Sequence, residues 1–592
     1  MSRHEVPVAA TGLLRRFAEA TLIAPVDFHL ARRMAALCRE TDPRVELAFA
    51  LTTRELRLGS VCLDLSRATD LAPEAGIEDG VAEGLDLDLP WPELEGWLGA
   101  VASSPAVADE DGESRPFRLV GTWLYLDRYW AEERSVEASL HRRSDLQLPP
   151  IDDAHLVRAA TPLMSRLPDA LQDAAVSAAL RNATTVITGG PGTGKTTTVA
   201  RILGGLADED NPPLVALAAP TGKASTRLAS AVAESLPQGQ GGLRLRSYTL
   251  HKLLGVVPGR AQRIHGSHNL LPHDVVIVDE TSMVSLTMMS WLLEAVSGRT
   301  RLILIGDPQQ LASVEAGAVL ADIAASPGLI TSHPVDGSGA ADAVVELRSN
   351  FRSNEEITRL ATAIQRGDAN AVVGLLTAGE SCTLQDYTGR EPITDYDVLL
   401  TDLHATAAAV RAAALEGDGG AANAALGRHR ILCAHREGPF GVGHWARTAR
   451  GWLSEQFEGY GLGAGAWPGQ PLLITRNSDT AANGDTAVVV KRGDRLLAAV
   501  DRAQGTLLVD PVLLDDATDL HAMTIHKSQG SQFDAVSVIL PPVGSPLLTR
   551  ELLYTAITRA RTHVRLYGGE EALRVAVTTP ARRASGLGRR RA

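Results

Sequence analysis

The chain has 592 residues, 45% hydrophobic, 21% charged and 4% aromatic, a length beyond what one hydrophobic core organises and one that predicts about three to five domains. No apolar run approaches the roughly 20 residues of a membrane span, the start MSRHEVPVAATG lacks an apolar signal core, and Cys38, Cys62, Cys382 and Cys433 lie far apart, so membrane, secreted, zinc-ribbon and disulfide classes are excluded and a reduced, cytoplasmic protein is expected. The net charge of −13 does not exclude nucleic acid, because 13 acidic residues and no Lys or Arg lie between Asp70 and Glu113 while the remaining 57 acidic residues balance 57 basic ones.

In chain order, residues 1–150 read as one unit, helical at first: Gly12 to Ala20 and Ala31 to Glu40 carry apolar residues at helical spacing. The acidic stretch 70–114 reads as loop and short helix, and Gln147 to Asp153, with paired prolines, as a linker. From about 155 short β-rich runs alternate with helical segments: Thr184–Thr188, Leu214–Ala219, Val275–Val278 and Leu302–Ile305. That alternation predicts an α/β domain over 151–345, a parallel sheet with helices on both faces. A second such domain is expected in two parts, 346–475 and 521–575, with strands at Val398–Leu400, Ile431–Cys433 and Ala535–Leu540. Between them 476–520 read as a small β insertion, with turns at Asn483-Gly484 and Arg492-Gly493-Asp494. The basic tail 576–592 is expected to be disordered.

The chemistry sits in the first α/β domain. Gly189-Gly190-Pro191-Gly192-Thr193-Gly194-Lys195-Thr196, followed by Thr197, fits GxxxxGK[ST] after a β-run and before a helix-forming stretch. In that context backbone N–H groups wrap phosphates, Lys195 reaches the β- and γ-phosphates of ATP, and Thr196 ligates Mg²⁺. Asp274 to Glu280 is an apolar strand ending in two carboxylates. Asp279 can hold the metal through water, and Glu280 can polarise the attacking water. A third strand ends in Gly306-Asp307-Pro308-Gln309-Gln310, where Gln310 is the candidate for sensing the γ-phosphate. Only five lysines, Lys195, Lys223, Lys252, Lys491 and Lys527, stand against 52 arginines, and four of the five fall in this motif set and its continuation. A compact point charge is therefore expected to matter at those four.

The ordered set resembles superfamily 1 helicases. Its further blocks are Ala219-Pro220-Thr221-Gly222-Lys223-Ala224, Thr249 to Gly255, Asn350-Phe351-Arg352-Ser353, Thr524-Ile525-His526-Lys527-Ser528-Gln529-Gly530, and Leu553 to Ala560. The resemblance implies two RecA-like domains. It also implies Gln172 reading adenine, Gly530 at the nucleotide, and Arg352 and Arg559 as arginine fingers from the second domain. Pro220, Thr221, Lys223, His251, Thr524, His526, Lys527 and Ser528 would face DNA. More narrowly, Gly59 to Leu65, Leu124 to Trp130 and Ala434 to Val442 resemble the RecD family, the α subunits of exodeoxyribonuclease V (RecBCD). That likeness implies a 5′→3′ motor on single-stranded DNA at duplex ends, docked through its N-terminal unit to RecB-like and RecC-like subunits. Strand cleavage would belong to a partner, since no nuclease constellation of clustered Asp, Glu and Lys is visible. Gln532 stands where these helicases usually carry Glu, Thr281 replaces a more usual Ala, and Arg561 a more usual Lys. Two alternatives stay open: a stand-alone 5′→3′ helicase, which the lack of helix-hairpin-helix glycine pairs disfavours, and a non-motor scaffold, which intact Lys195, Asp279, Glu280 and Arg559 disfavour.

Overall fold

The computed structural model describes residues 6–73, 88–146, 148, 169–236, 242–257, 259, 262–331, 342–351, 354–387, 397–461, 465–478, 480–502, 505–514, 516–581 and 583–588. The expected linker, apart from Leu148, and much of the acidic stretch lie outside the described residues, as do Arg352 and Arg589 to Arg591.

The N-terminal unit opens with helices Gly12–Glu19, Pro25–Cys38 and Pro43–Arg57. Asp42 caps the third, its carboxylate accepting from Arg44 N at 2.8 Å, with Pro43 preset for the first turn. These helices pack on a small sheet of β1 (Cys62–Asp64), β2 (Val107–Ala108), β3 (Phe117–Val120) and β4 (Trp123–Leu126), ordered β1-β4-β3-β2. Phe49 stacks on Phe117 at 3.9 Å between ring centres. The helix after β4, Asp127–Ser144, bridges this unit and the adjoining domain: Asp127 pairs with Arg118 at 2.6 Å, while Val136 and Leu140 are buried in a core shared with that domain. At its end the buried Arg143 donates to Thr184 Oγ1 at 2.8 Å, Ala183 O at 2.8 Å, Thr300 O at 2.6 Å and Ser297 O at 3.0 Å.

The first α/β domain is a six-stranded parallel sheet of β5 (Thr184–Gly189), β6 (Leu214–Ala219), β7 (Arg244–Thr249), β8 (Val275–Val278), β9 (Arg301–Gly306) and β10 (Val344–Leu347). The strand order is β10-β5-β9-β8-β6-β7. All residues of β5, β8 and β9 are buried, as expected of central parallel strands covered on both faces. The two edge strands, β7 and β10, were not legible in the sequence because Arg244 to Thr249 is polar and largely accessible and Val344 to Leu347 alternates.

The second α/β domain holds β11 (Cys382–Gln385) and β12 (His429–Cys433); then a separate sheet of β13 (Pro471–Ile474), β14 (Thr486–Arg492), β15 (Arg495–Val500), β16 (Leu507–Val509) and β17 (Ala517–Asp519) intervenes. The chain returns with β18 (Ala522–Thr524), β19 (Phe533–Ile539) and β20 (Ala560–Tyr567) to complete a parallel sheet ordered β11-β20-β19-β12-β18. The inserted sheet is antiparallel, ordered β16-β15-β14-β13-β17, and starts at Pro471, five residues before the expected border. Gly493, at φ +61°, makes the tight β14–β15 turn.

Two expectations are corrected. Val398–Leu400 is not a strand but the start of helix Asp397–Glu416, where the Ala-rich continuation outweighs three apolar residues. By length and composition Val398–Glu416 also suffices to cross a membrane, although no such run was expected. Its Asp402 is 2.8 Å from Arg565, and Arg411 donates to Glu458 O at 2.9 Å. Of the tail, expected to be disordered, residues 583–588 instead form a strap, and 582 and 589–592 lie outside the described residues. Ala584 O accepts from Val61 N at 2.7 Å. The buried Glu133 accepts from Ser585 Oγ at 2.8 Å and Gly586 N at 2.9 Å, and Leu587 is buried beside Val136 and Leu140. Partners far away in sequence hold this short segment, which its own composition could not show.

Candidate active site

The strand ends that carry the motifs meet at the carboxyl edge of the first sheet, against the second domain. One cavity is lined by Pro191, Gly192, Gly194, Lys195, Thr196, Thr197, Asp279, Glu280, Gln310, Gly530 and Arg559, all named from the sequence. Ala224, Arg227, Leu228 and Gln532 line it as well. Carboxyl edges of parallel strands are where open α/β sheets bind ligands.

The loop after β5 is shaped for phosphate. Gly194, at φ +84°, is the N-cap of helix Lys195–Leu206, and a Cβ there would stand 2.3 Å from Gln172 Nε2. Only glycine lets the backbone pass. Gln172 is buried behind the loop, donating to Thr193 O at 3.3 Å, and Thr193 Oγ1 donates to Gly190 O at 2.9 Å. Lys195 Nζ donates to the carbonyls of Gly189 and Gly190 at 2.5 and 2.8 Å, poised over the loop.

At the end of β8, Glu280 adopts φ +51° and ψ +40°, a left-handed conformation that carries strain for a residue with a side chain. Its N–H donates to Asp279 Oδ1 at 2.8 Å. Burial, reinforced by the neighbouring Glu280, pushes the Asp279 carboxyl up to about 6. A hydroxyl at Thr196 and a carboxylate held at a cost in charge are the hard oxygen donors that suit Mg²⁺. Gln310 donates through Nε2 to Asp307 Oδ2 at 3.0 Å, while its Oε1 is buried with no hydrogen-bond partner among the described residues. An orphaned acceptor on a phosphate cavity fits a water to be oriented.

From the second domain, Arg559 is 3% exposed, its guanidinium donating to Thr555 O at 3.1 Å, Ser531 O at 3.4 Å and Thr558 Oγ1 at 3.5 Å. No carboxylate lies within 4.0 Å of it among the described residues, and burial lowers its pKa. A buried cation without a close anion, lining a phosphate cavity, has the character of an arginine finger.

Sequence reasoning missed three neighbours of this site. Arg227, one helical turn after Lys223, donates across to Gly530 O at 3.2 Å and Gln532 Oε1 at 3.1 Å, so Gln532 meets a cation of the other domain. Phe351 donates from its backbone N to Gly192 O at 2.9 Å and is 40% exposed, its ring 3.7 Å from where a Cβ on Gly194 would be. Tyr554 reaches Asp307. Phe351 and Tyr554 lay inside quoted motifs, and Arg227's spacing from Lys223 was its only signal.

The expected DNA-facing residues divide. His251 and Lys527 are exposed, and His526, Pro220 and Thr221 are half-buried. Thr524, the last residue of β18, and Ser528 in the turn that follows are buried, Thr524 Oγ1 accepting from Lys527 N at 3.2 Å and Ser528 Oγ donating to Ile525 O at 2.7 Å, so both shape that turn. Lys223 is half-buried toward the inserted sheet, in the field of Asp501 and Asp485.

Comparison with known proteins bears on this arrangement. The chain matches the models for the N-terminal domain of RecBCD enzyme subunit RecD over residues 19–125, an AAA domain over 172–316, and the UvrD-like helicase C-terminal domain over 519–567. It is 45% identical to RecBCD enzyme subunit RecD of Mycolicibacterium smegmatis, covering 98% of this chain and 99% of that one. It is 29% identical to the ATP-dependent RecD2 DNA helicase of Deinococcus radiodurans over 76% of this chain but 56% of that protein. Among solved structures, Pif1 helicase from Candida albicans gives a TM-score of 0.39 at 16% identity, covering 69% of this chain and 96% of that one. Matched from end to end by a relative of that identity, the chain belongs to the RecD family of RecBCD enzyme subunits.

Proposed function

We propose that this chain is an ATP-dependent 5′→3′ single-stranded DNA translocase and helicase, working as a subunit of a RecBCD-type helicase–nuclease on duplex DNA ends. The observation that carries the reading is one cavity holding Lys195, Asp279, Glu280 and Gln310 from the first domain together with Arg559 from the second. Turnover then demands that both domains close on the nucleotide, and each cycle of closure and release can move one domain along a strand lying across both.

Within the cavity Lys195 leaves its loop carbonyls for the β- and γ-phosphates, Glu280 and Gln310 Oε1 orient the attacking water, and Arg559 meets charge developing on the γ-phosphoryl group. Thr196 and Asp279 would hold Mg²⁺, which when bound supplies charge neutralisation at the phosphates. Gln172 and Phe351 flank the side of the loop suited to the base, and Arg352 is assigned as a second finger on the family likeness. Pro220, Thr221, Lys223, His251, His526 and Lys527 are the residues proposed toward DNA. Docking to RecB-like and RecC-like subunits is assigned to the N-terminal unit, whose helix Pro25–Cys38 leaves Val26 and Leu37 exposed by 55% and 61%.

The experiment is ATP turnover with and without a single-stranded oligonucleotide. Wild type should be stimulated by DNA, and Lys195→Gln, which removes one phosphate contact from a surface loop, should stay folded and lose turnover. A folded Lys195→Gln protein with undiminished DNA-stimulated hydrolysis overturns the assignment.

A further inference from the structure

The second domain reaches Asp307, the carboxylate that holds Gln310, through a side chain that no role above uses. Tyr554 lies on helix Arg550–Ile557, five residues before Arg559. Its hydroxyl donates to Asp307 Oδ2 at 3.0 Å, and that same oxygen accepts from Gln310 Nε2 at 3.0 Å. The other oxygen, Oδ1, accepts from Gln309 N at 3.0 Å. Tyr554 and Asp307 are each 2% exposed and Gln310 is 5% exposed. The Tyr554 hydroxyl also lies 3.0 Å from the position a Cβ would take on Gly190, so it touches the phosphate loop as well.

Neighbouring bonds join the same two segments. Leu311 N donates to Thr555 Oγ1 at 2.8 Å, and Gln529 Nε2 donates to Leu311 O at 2.9 Å. The loop that carries Gln310 is thus held at three points by the second domain, but only Tyr554 acts on the carboxylate that orients the Gln310 side chain. A hydrogen bond to a buried carboxylate is strong, and separating the domains would leave that carboxylate with one donor fewer in a site of low dielectric.

We propose that Tyr554 is a positioning residue for ATP hydrolysis. Through Asp307 it fixes the Gln310 amide only when the second domain is seated, so that Gln310 and Arg559 come into line together. Domain closure, and hence DNA bound across both domains, is thereby read at the γ-phosphate. The inference rests on the ATPase reading above and names a residue that reading does not need.

The test uses the full chain, an oligo(dT) strand and steady-state ATP hydrolysis. Tyr554→Phe keeps the ring and removes only the hydroxyl. With DNA present, kcat should fall about tenfold or more while the KM for ATP stays within about twofold, because the lost bond aligns the transition state and does not hold the ground state. If Tyr554 acts through Asp307, the pair Asp307→Ala/Tyr554→Phe should lose no more than Asp307→Ala alone. A Tyr554→Phe enzyme with wild-type kcat overturns the proposal, as do losses that multiply in the double variant or a KM that rises in step with the fall in kcat. Wild type and Lys195→Gln run beside it: no DNA-stimulated turnover in wild type would sink the ATPase reading and this inference with it, whereas normal behaviour of both with an indifferent Tyr554→Phe sinks this inference alone.

Discussion

Replacing Arg559 by alanine tests the chemistry of the closed cleft. Its guanidinium is buried and held only by two carbonyls and one hydroxyl, at 3.1 to 3.5 Å, with no carboxylate within salt-bridge distance among the described residues. Neutral acceptors at those distances compensate a desolvated charge poorly, so in the folded protein Arg559 gains little for stability and is available to the phosphate. The transition state gathers negative charge on the γ-phosphoryl oxygens, and a preorganised cation there is worth far more than in water. We expect Arg559→Ala to lower kcat at least about a hundredfold, equivalent to about 2.7 kcal/mol of transition-state stabilisation, with a much smaller change in ATP affinity. Arg559→Lys should fall between the two, keeping a charge but losing the planar fork. The measurements are DNA-stimulated kcat, nucleotide affinity by direct titration, and the thermal midpoint, which should hardly fall because removing an uncompensated buried charge offsets part of the lost packing. Equal, small changes in kcat and affinity would refute the reasoning and assign Arg559 to structure.

Removing residues 581–592 should loosen the join between the N-terminal unit and the first α/β domain, since Val61 N, Ser60 Oγ and the Glu133 carboxylate all lose strap partners. Faster amide exchange at Val61 is the readout, and unchanged protection would show the strap to be passive. Acid should destabilise the second domain through two buried histidines: burial pushes His429 down to about 3 and His521 down to about 4. Both stay neutral in the folded protein while the unfolded chain takes up protons below about pH 6.5. Their contribution is therefore complete above that pH and is lost as pH falls toward 4, by up to about 1.4 kcal/mol per unit for each histidine. The slope of thermal midpoint against pH from 7 to 5 should be shallower in His429→Gln, and identical slopes would contradict the assignment.

The sequence alone determined the chemistry and the class of fold. A glycine-rich loop between a β-run and a helix, carboxylates at a strand end, and fully apolar strands such as Val275–Val278 are local patterns, because phosphate binding and two-sided burial each constrain contiguous residues. The order of those patterns was enough to expect two parallel-sheet domains with a β insertion between parts of the second. Tertiary structure decided what depends on residues far apart in the chain. Edge strand Arg244–Thr249 is a strand because Leu214–Ala219 pairs with it, and Val398–Leu400 is helical because the Ala-rich run up to Glu416 carries it into one long helix. The strap is ordered because Glu133 and Val61 receive it, and helix Asp127–Ser144 joins the core of the first α/β domain because Val136 and Leu140 share a buried cluster with residues such as Leu292 and Val276. The same holds within the site. Ser528 and Thr524 look like surface hydroxyls in a motif yet are buried, while Arg227, Phe351 and Tyr554 gain their significance only where the two domains meet. A single strand or loop cannot encode which distant carboxylate a hydroxyl will find, and at Asp307 that pairing joins Gln310 of one domain to Tyr554 of the other.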